Sequence, residues 1–163
     1  MPLLTTTGSR FWLGWTIALG VASVLVVLAA LPPFVPAGAR EVLMQIFSKF
    51  CHQIPTRSPH VDGIQLAVCH RCLGIYAALP LAAFLFLGLQ TWQASLWRSA
   101  RWIIPLSLMP LGIDWFVDVA GWWMNTPYSR FLTGAVFGIA AGYFLTRAIV
   151  ELLARRSFNS PLE

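Results

Sequence analysis

Charge is what this sequence has least of. Of 163 residues only six are acidic and eleven basic, 10% in all; a soluble domain carries about 25%. So few charges cannot solvate a globule of this size, which excludes an ordinary water-soluble domain and leaves lipid to cover much of the surface. There is no cluster of basic residues with interleaved aromatics, which excludes a nucleic-acid track despite the net charge of +5. The basic residues stand singly at the ends of apolar runs, where they anchor helices to anionic headgroups. Internal repeats and low-complexity segments are also lacking. Cysteine and histidine are scarce, three of each.

What is abundant is apolar: 58% of the residues. The length allows one domain, residues 1–163. A spanning helix needs about 20 apolar residues, and four runs qualify. Phe11 to Leu31 is uncharged and ends at Pro32-Pro33. Leu73 to Gln90 is also uncharged. Trp102 to Trp123 contains Asp114 and Asp118, and Phe131 to Leu153 contains Arg147 and Glu151 near its end. The last two are four apart, so they can pair while Arg147 snorkels to the interface. The expected fold is therefore all-α: an integral membrane bundle of about four transmembrane helices, with spans at about 11–31, 73–90, 102–123 and 131–153. Trp12, Trp15, Trp92, Trp97, Trp102, Trp115, Trp122 and Trp123 fall near the ends of these runs, as interfacial belts require. Ala37-Gly38-Ala39 resembles a cleavage site, but the preceding run is about twice a signal-peptide core, so an uncleaved anchor is expected.

Small residues recur every four positions at Gly14, Ala18 and Ala22 and at Gly134, Gly138 and Gly142. Such stripes allow close helix approach in lipid. Packing within the bundle is their first reading; a homo-oligomer or membrane-complex seam through Gly134, Gly138 and Gly142 is the second. With four spans, Arg10, Arg98, Arg101, Arg147, Arg155 and Arg156 share one side, and Arg40, Lys49, Arg57, Arg71 and Arg130 the other. The small excess favours cytoplasmic termini and an extracytoplasmic first loop in a multi-pass protein of the cell (inner or plasma) membrane. Residues 157–163 read as a frayed tail.

The first loop carries the chemistry. From Arg40 to Phe50, the residues Val42, Leu43, Ile46, Phe47 and Phe50 share one helical face, which predicts an interfacial helix. Pro55, Pro59 and Gly63 then predict a turn-rich loop. Cys51, Cys69 and Cys72 have the spacing C-x17-C-x2-C, and His52, His60 and His70 lie among them. All six of these residues fall within 22 consecutive positions, the Cys/His loop 51–72. A C-x2-C pair can put two thiolates on one ion, and a distant third cysteine closes the site. His52, beside Cys51, is the first choice of fourth ligand. Zinc suits a Cys3His set, and an iron–sulfur cluster is possible with the same ligands. The alternative is thiol–disulfide exchange by Cys69 and Cys72, with Cys51 as resolving thiol, in a membrane oxidoreductase with quinone-linked disulfide-forming enzymes as its architectural analogy; a helix N-terminus and Arg71 would favour its thiolate. The blandest reading makes the cysteines small apolar residues. The order C-x-x-C-H that a c-type haem needs is absent.

Alternating topology brings a second cluster to the same side: Asp114, Asp118, Arg130 and Arg71. Carboxylates in a span need partners, and Arg130 with Asp114 is the pair expected. Its role is a salt bridge locking the third and fourth spans or a share in the site; direct cation binding by the two aspartates, hence transport, is a weaker alternative.

Cys51-His52-Gln53, Arg57-Ser58, Gly63 and Cys69-x-Arg71-Cys72-x-Gly74-x-Tyr76 resemble a prokaryotic family of short multi-spanning membrane proteins known as a domain of unknown function. The resemblance continues through Asp114 and through Arg130, Thr133 and Gly134, covering roughly residues 45 to 142. It departs where the family has a glutamine four residues after the aspartate and this chain has Asp118. It departs again where an asparagine precedes the arginine by three and this chain has Pro127. The resemblance implies a membrane protein and supplies no activity.

Overall fold

The computed structural model describes residues 8–156. Helix α1 spans Ser9–Ala30, α2 Ala37–Phe47, α3 His70–Gly88, α4 Gln93–Val119 and α5 Pro127–Arg156. The tail 157–163, expected to fray, lies outside the described residues. Four of the five helices, all except α2, are long and apolar enough to cross a membrane. The protein is thus an all-α membrane bundle of four transmembrane helices.

Local chemistry sets the limits. Pro32 and Pro33 end α1 in a short 3-10 turn. Helix α4 begins nine residues before the expected 102, because residues 93–101 contain no glycine or proline to stop it. It ends at Gly121, whose φ of +71° makes the left-handed cap, with Trp122 N–H bonded to the Val117 carbonyl at 3.2 Å. Pro127 then opens α5, and the Thr126 hydroxyl accepts the Ser129 amide at 3.1 Å.

Helix α5 is the hub, packing on α1, α3 and α4. It runs parallel to α3, and the contact is made by small residues from both. A side chain on Gly134 would strike the carbonyl of Arg71, and one on Gly74 that of Phe131; Gly138 and Gly142 meet Ile75, Ala78, Leu79 and Ala82. The glycine stripe is therefore occupied by α3, the first of its two readings. Gly14 of α1 lies against the backbone of Val150 at the other end of α5. Helix α4 packs mainly on α5, and only Gln93 and Ser107 of it are buried. Trp92, Trp122 and Trp123 are exposed just beyond its two ends, as lipid-interface anchors should be.

Arg147 pairs with Glu151 as expected, at 2.8 Å, but its side chain is buried in the bundle instead of extending outward. It is 4% exposed, its guanidinium lies 4.6 Å from the Trp97 ring centroid, and Nη1 donates to the Gln93 carbonyl at 2.8 Å. Aromatic and carbonyl partners within the bundle replace water.

Candidate metal centre

The first loop is folded by hydrogen bonds, and one residue does most of it. Helix α2 ends at Phe47, three residues before the predicted end; Phe47 turns into the core while Val42, Ile46 and Phe50 face outward. The backbone then reverses at Gln53, whose φ is +50°. The Gln53 side-chain amide donates to the carbonyls of Met44 at 2.8 Å and Ala67 at 2.7 Å. Gln65 donates back to the Gln53 carbonyl at 2.8 Å. A two-residue hairpin, β1 His60–Val61 and β2 Ile64–Gln65, closes through Asp62 and Gly63, both with positive φ. The Ala67 amide joins the loop to the end of α1 by donating to the Ala29 carbonyl at 3.0 Å.

This clamp brings residues 51 and 69 together. The Cys69 amide donates to Cys51 Sγ at 3.2 Å. Helix α3 starts one residue later, so Cys72 sits in its first turn, on the same side as Cys69. The three Sγ atoms all lie within 4.8 Å of one another. In a tetrahedral zinc site with Zn–S of about 2.3 Å, sulfurs stand about 3.8 Å apart. The donor set therefore fits one thiophilic ion with small adjustments. Cys51, 4% exposed, is packed among Ala29, Phe47, Ala67 and Val68.

The thiols also perturb one another. Thiol donation from Cys51, then from Cys72, pushes the Cys69 thiol down to about 2, and the amides of Cys72 and Arg71 add to this against burial. Cys51 moves up, first because its proton is held by Cys69 and then because it is buried. One thiolate is shared by three sulfurs, and a cation is what would let the others ionise.

The histidines are less gathered than the cysteines. His52 is exposed and outside the group of three sulfurs. His70 places Nδ1 2.8 Å from the Arg57 carbonyl, and His60 places Nδ1 3.0 Å from the Ser58 carbonyl. His52 instead lines a cavity of about 370 Å³ that all three cysteines also line. Its other walls are Arg57, Arg71 and Arg130 together with Phe50, Ile54, Ile75, Leu111 and Trp115.

The second cluster stands beside this cavity, paired differently from the expectation. Arg71 pairs with Asp114, and Arg130 pairs with Asp118 at 3.4 Å, not with Asp114. Asp118 lies in the last turn of α4, level with the first turn of α5, whereas Asp114 sits one turn deeper and meets α3. Arg57 adds a second guanidinium to Asp118 at 3.0 Å. Asn125 fastens the connection, its side-chain amide bonded to the Asp114 carbonyl. Arg57, Gln53 and Asn125 are not among the predicted site residues. Gln53 and Arg57 are signalled by the resemblance, in Cys51-His52-Gln53 and Arg57-Ser58, whereas Asn125 is marked only by its place in the polar stretch Asn125-Thr126-Pro127-Tyr128-Ser129 between α4 and α5.

Residues 51–144 match the family described as predicted membrane protein, DUF2085. The chain belongs to that family. An uncharacterised protein of Methanocaldococcus jannaschii, MJ1492, is 25% identical over 114 residues, 70% of this chain and 72% of its own. An uncharacterised protein of Methanothermobacter thermautotrophicus is 31% identical over 108 residues, 66% of this chain and 93% of its own. No solved structure matches. The matched region begins at Cys51 and takes in the whole cysteine cluster, both aspartates and Arg130.

Proposed function

We propose that this protein is a membrane-bound metal-binding module, with one zinc ion held by Cys51, Cys69, Cys72 and His52 at the membrane interface. The observation that carries this reading is the mutual approach of three thiol sulfurs to within 4.8 Å. His52 is the fourth ligand because it alone of the three histidines borders the same cavity as the sulfurs. A set of four protein ligands is closed, so the ion would fix the loop over the bundle as a binding or accessory centre, without catalysing. Cation transport loses support, because Asp114 and Asp118 are already paired with guanidiniums.

The loop is proposed to be extracytoplasmic, with cytoplasmic termini in the cell membrane. Arg57, Arg71 and Arg130 are committed to carboxylates, and Arg40 donates to the carbonyls of Pro32 and Val35. That leaves little free positive charge on the loop side to hold it inside.

The test is elemental analysis of protein purified in mild detergent, with a visible spectrum and a thiol count. One colourless zinc per chain, lost in Cys69→Ser, is expected. A brown iron chromophore would exchange zinc for an iron–sulfur cluster. Metal-free protein with one disulfide per chain would replace the proposal by thiol–disulfide exchange at Cys69 and Cys72. Undiminished metal in Cys69→Ser would overturn the ligand set.

A further inference from the structure

We infer that the arginine-walled cavity beside the thiols binds a phosphate-type oxyanion carried on an apolar chain. The inference does not rest on the metal reading, since no arginine belongs to the ligand set.

Three observations converge. First, Arg57, Arg71 and Arg130 come from the loop, α3 and α5, yet all three line one cavity of about 370 Å³. Second, the guanidiniums outnumber the carboxylates they bind. Arg71 has Asp114 to itself, but Arg57 and Arg130 share the single carboxylate of Asp118, at 3.0 and 3.4 Å. The cysteine group on the same wall supplies the remaining negative charge, so what the cavity lacks is acceptor oxygens for the guanidinium N–H groups. Third, the Nε of Arg71 is buried without a hydrogen-bond partner. A buried donor on a cation is an unmet demand for an acceptor oxygen. The guanidinium fork matches the oxygens of a phosphate group, which can take several such donors at once.

The remaining wall names the other half of the ligand. Phe50, Ile54, Ile75, Leu111 and Trp115 are apolar, and Phe50 and Trp115 are 75% and 52% exposed on the outside of the bundle. The cavity stands level with the end of the interfacial α2 and the starts of α3 and α5. A phosphate head with a hydrocarbon chain would satisfy both walls, head toward the arginines and chain toward Phe50 and Trp115. A free phosphate has the same head chemistry and leaves the apolar wall without a partner.

The test uses the full chain in dodecyl maltoside, titrated by calorimetry with dodecyl phosphate and, separately, with inorganic phosphate. Saturable one-to-one binding of dodecyl phosphate is expected, at least tenfold tighter than inorganic phosphate. Equal binding of both would uphold the oxyanion site and make free phosphate its source. Arg57→Gln is expected to weaken binding about tenfold; its side chain is 41% exposed, and Asp118 keeps Arg130, so the fold should persist. The double variant Arg71→Gln/Asp114→Asn, which leaves no buried charge unpaired, should weaken it further. Absence of saturable binding by either probe, or binding unchanged in both variants, overturns the inference. Zinc is measured on the same samples, so the metal proposal and this one can fail separately.

Discussion

The carbonyl of Arg71 occupies the space that a side chain on Gly134 would need. That contact sets the spacing of α3 and α5 at the level of the thiols. It also fixes where Arg71 stands relative to Asp114. Gly134→Ala should therefore lower the thermal midpoint in detergent. Forcing a methyl group into the seam costs about 1–3 kcal/mol, and the helix-propensity gain of about 0.5–1 kcal/mol does not recover it. Gly112 supplies the control, because nothing lies within 4 Å of a side chain built there. Gly112→Ala should leave the midpoint unchanged or raise it. Equal midpoints for Gly134→Ala and wild type would mean that the helices are not in this contact.

Asp114 is predicted to be structural. Its side chain is 8% exposed and that of its partner Arg71 18%. Removing one member of a buried pair costs about 3–5 kcal/mol. Asp114→Asn should thus reduce the folded yield sharply. The double variant Arg71→Gln/Asp114→Asn should recover part of it, since no uncompensated charge remains. Whatever folds should still carry its full zinc. Metal loss in folded Asp114→Asn protein would move the aspartate into the metal site.

Much of this arrangement could be read from the sequence, and the unread part has a physical pattern. Span number, the cysteine cluster and the co-location of both aspartates with Arg71 and Arg130 followed from hydropathy, spacing and alternating direction. The partner of each aspartate did not follow. Arg130 with Asp114 and Arg130 with Asp118 differ by one helical turn, and that turn depends on where α4 stops. The stop is set by Gly121 and Asn125, on which hydropathy is silent. The hairpin at Asp62-Gly63 did carry a local signal, the Asp-Gly pair with its ease at positive φ. The role of Gln53 had none, because its partners Met44 and Ala67 meet only in the folded loop.

Zinc binding should release about two protons per ion at neutral pH. In the metal-free protein Cys69 is the thiolate, held down near 2, and Cys51 is held protonated. Cys72 also donates its thiol to Cys69, which keeps its own proton in place. Ligation needs all three as thiolates, so two protons must leave. The sign follows: affinity rises with pH and falls on acidification, because protons compete with the ion. Calorimetry in buffers of different ionisation enthalpy measures the number directly. Release of three protons would mean that Cys69 is an ordinary thiol before the ion binds. Release of none would mean that the sulfurs are not the ligands.

The opposite end of the bundle offers a test free of the metal. Arg147 is buried, gives Nε to Glu151 and Nη1 to the Gln93 carbonyl, each at 2.8 Å, and lies over Trp97. It is the main polar tie between the start of α4 and the end of α5. Lysine keeps the charge but has one ammonium in place of a planar fork, so it cannot serve both acceptors and stack on the ring. Losing one charge-assisted hydrogen bond costs about 1.5–3 kcal/mol. Arg147→Lys should therefore lower the thermal midpoint clearly. Arg101, exposed and 5.8 Å from the Trp102 ring, is the comparison. Arg101→Lys should change stability by less than about 0.5 kcal/mol. If the two substitutions are equally mild, charge alone matters at 147 and the fork contributes nothing. If Arg147→Lys alone is costly and zinc content is unchanged, the two ends of the bundle are held independently: one by this guanidinium, the other by the thiols.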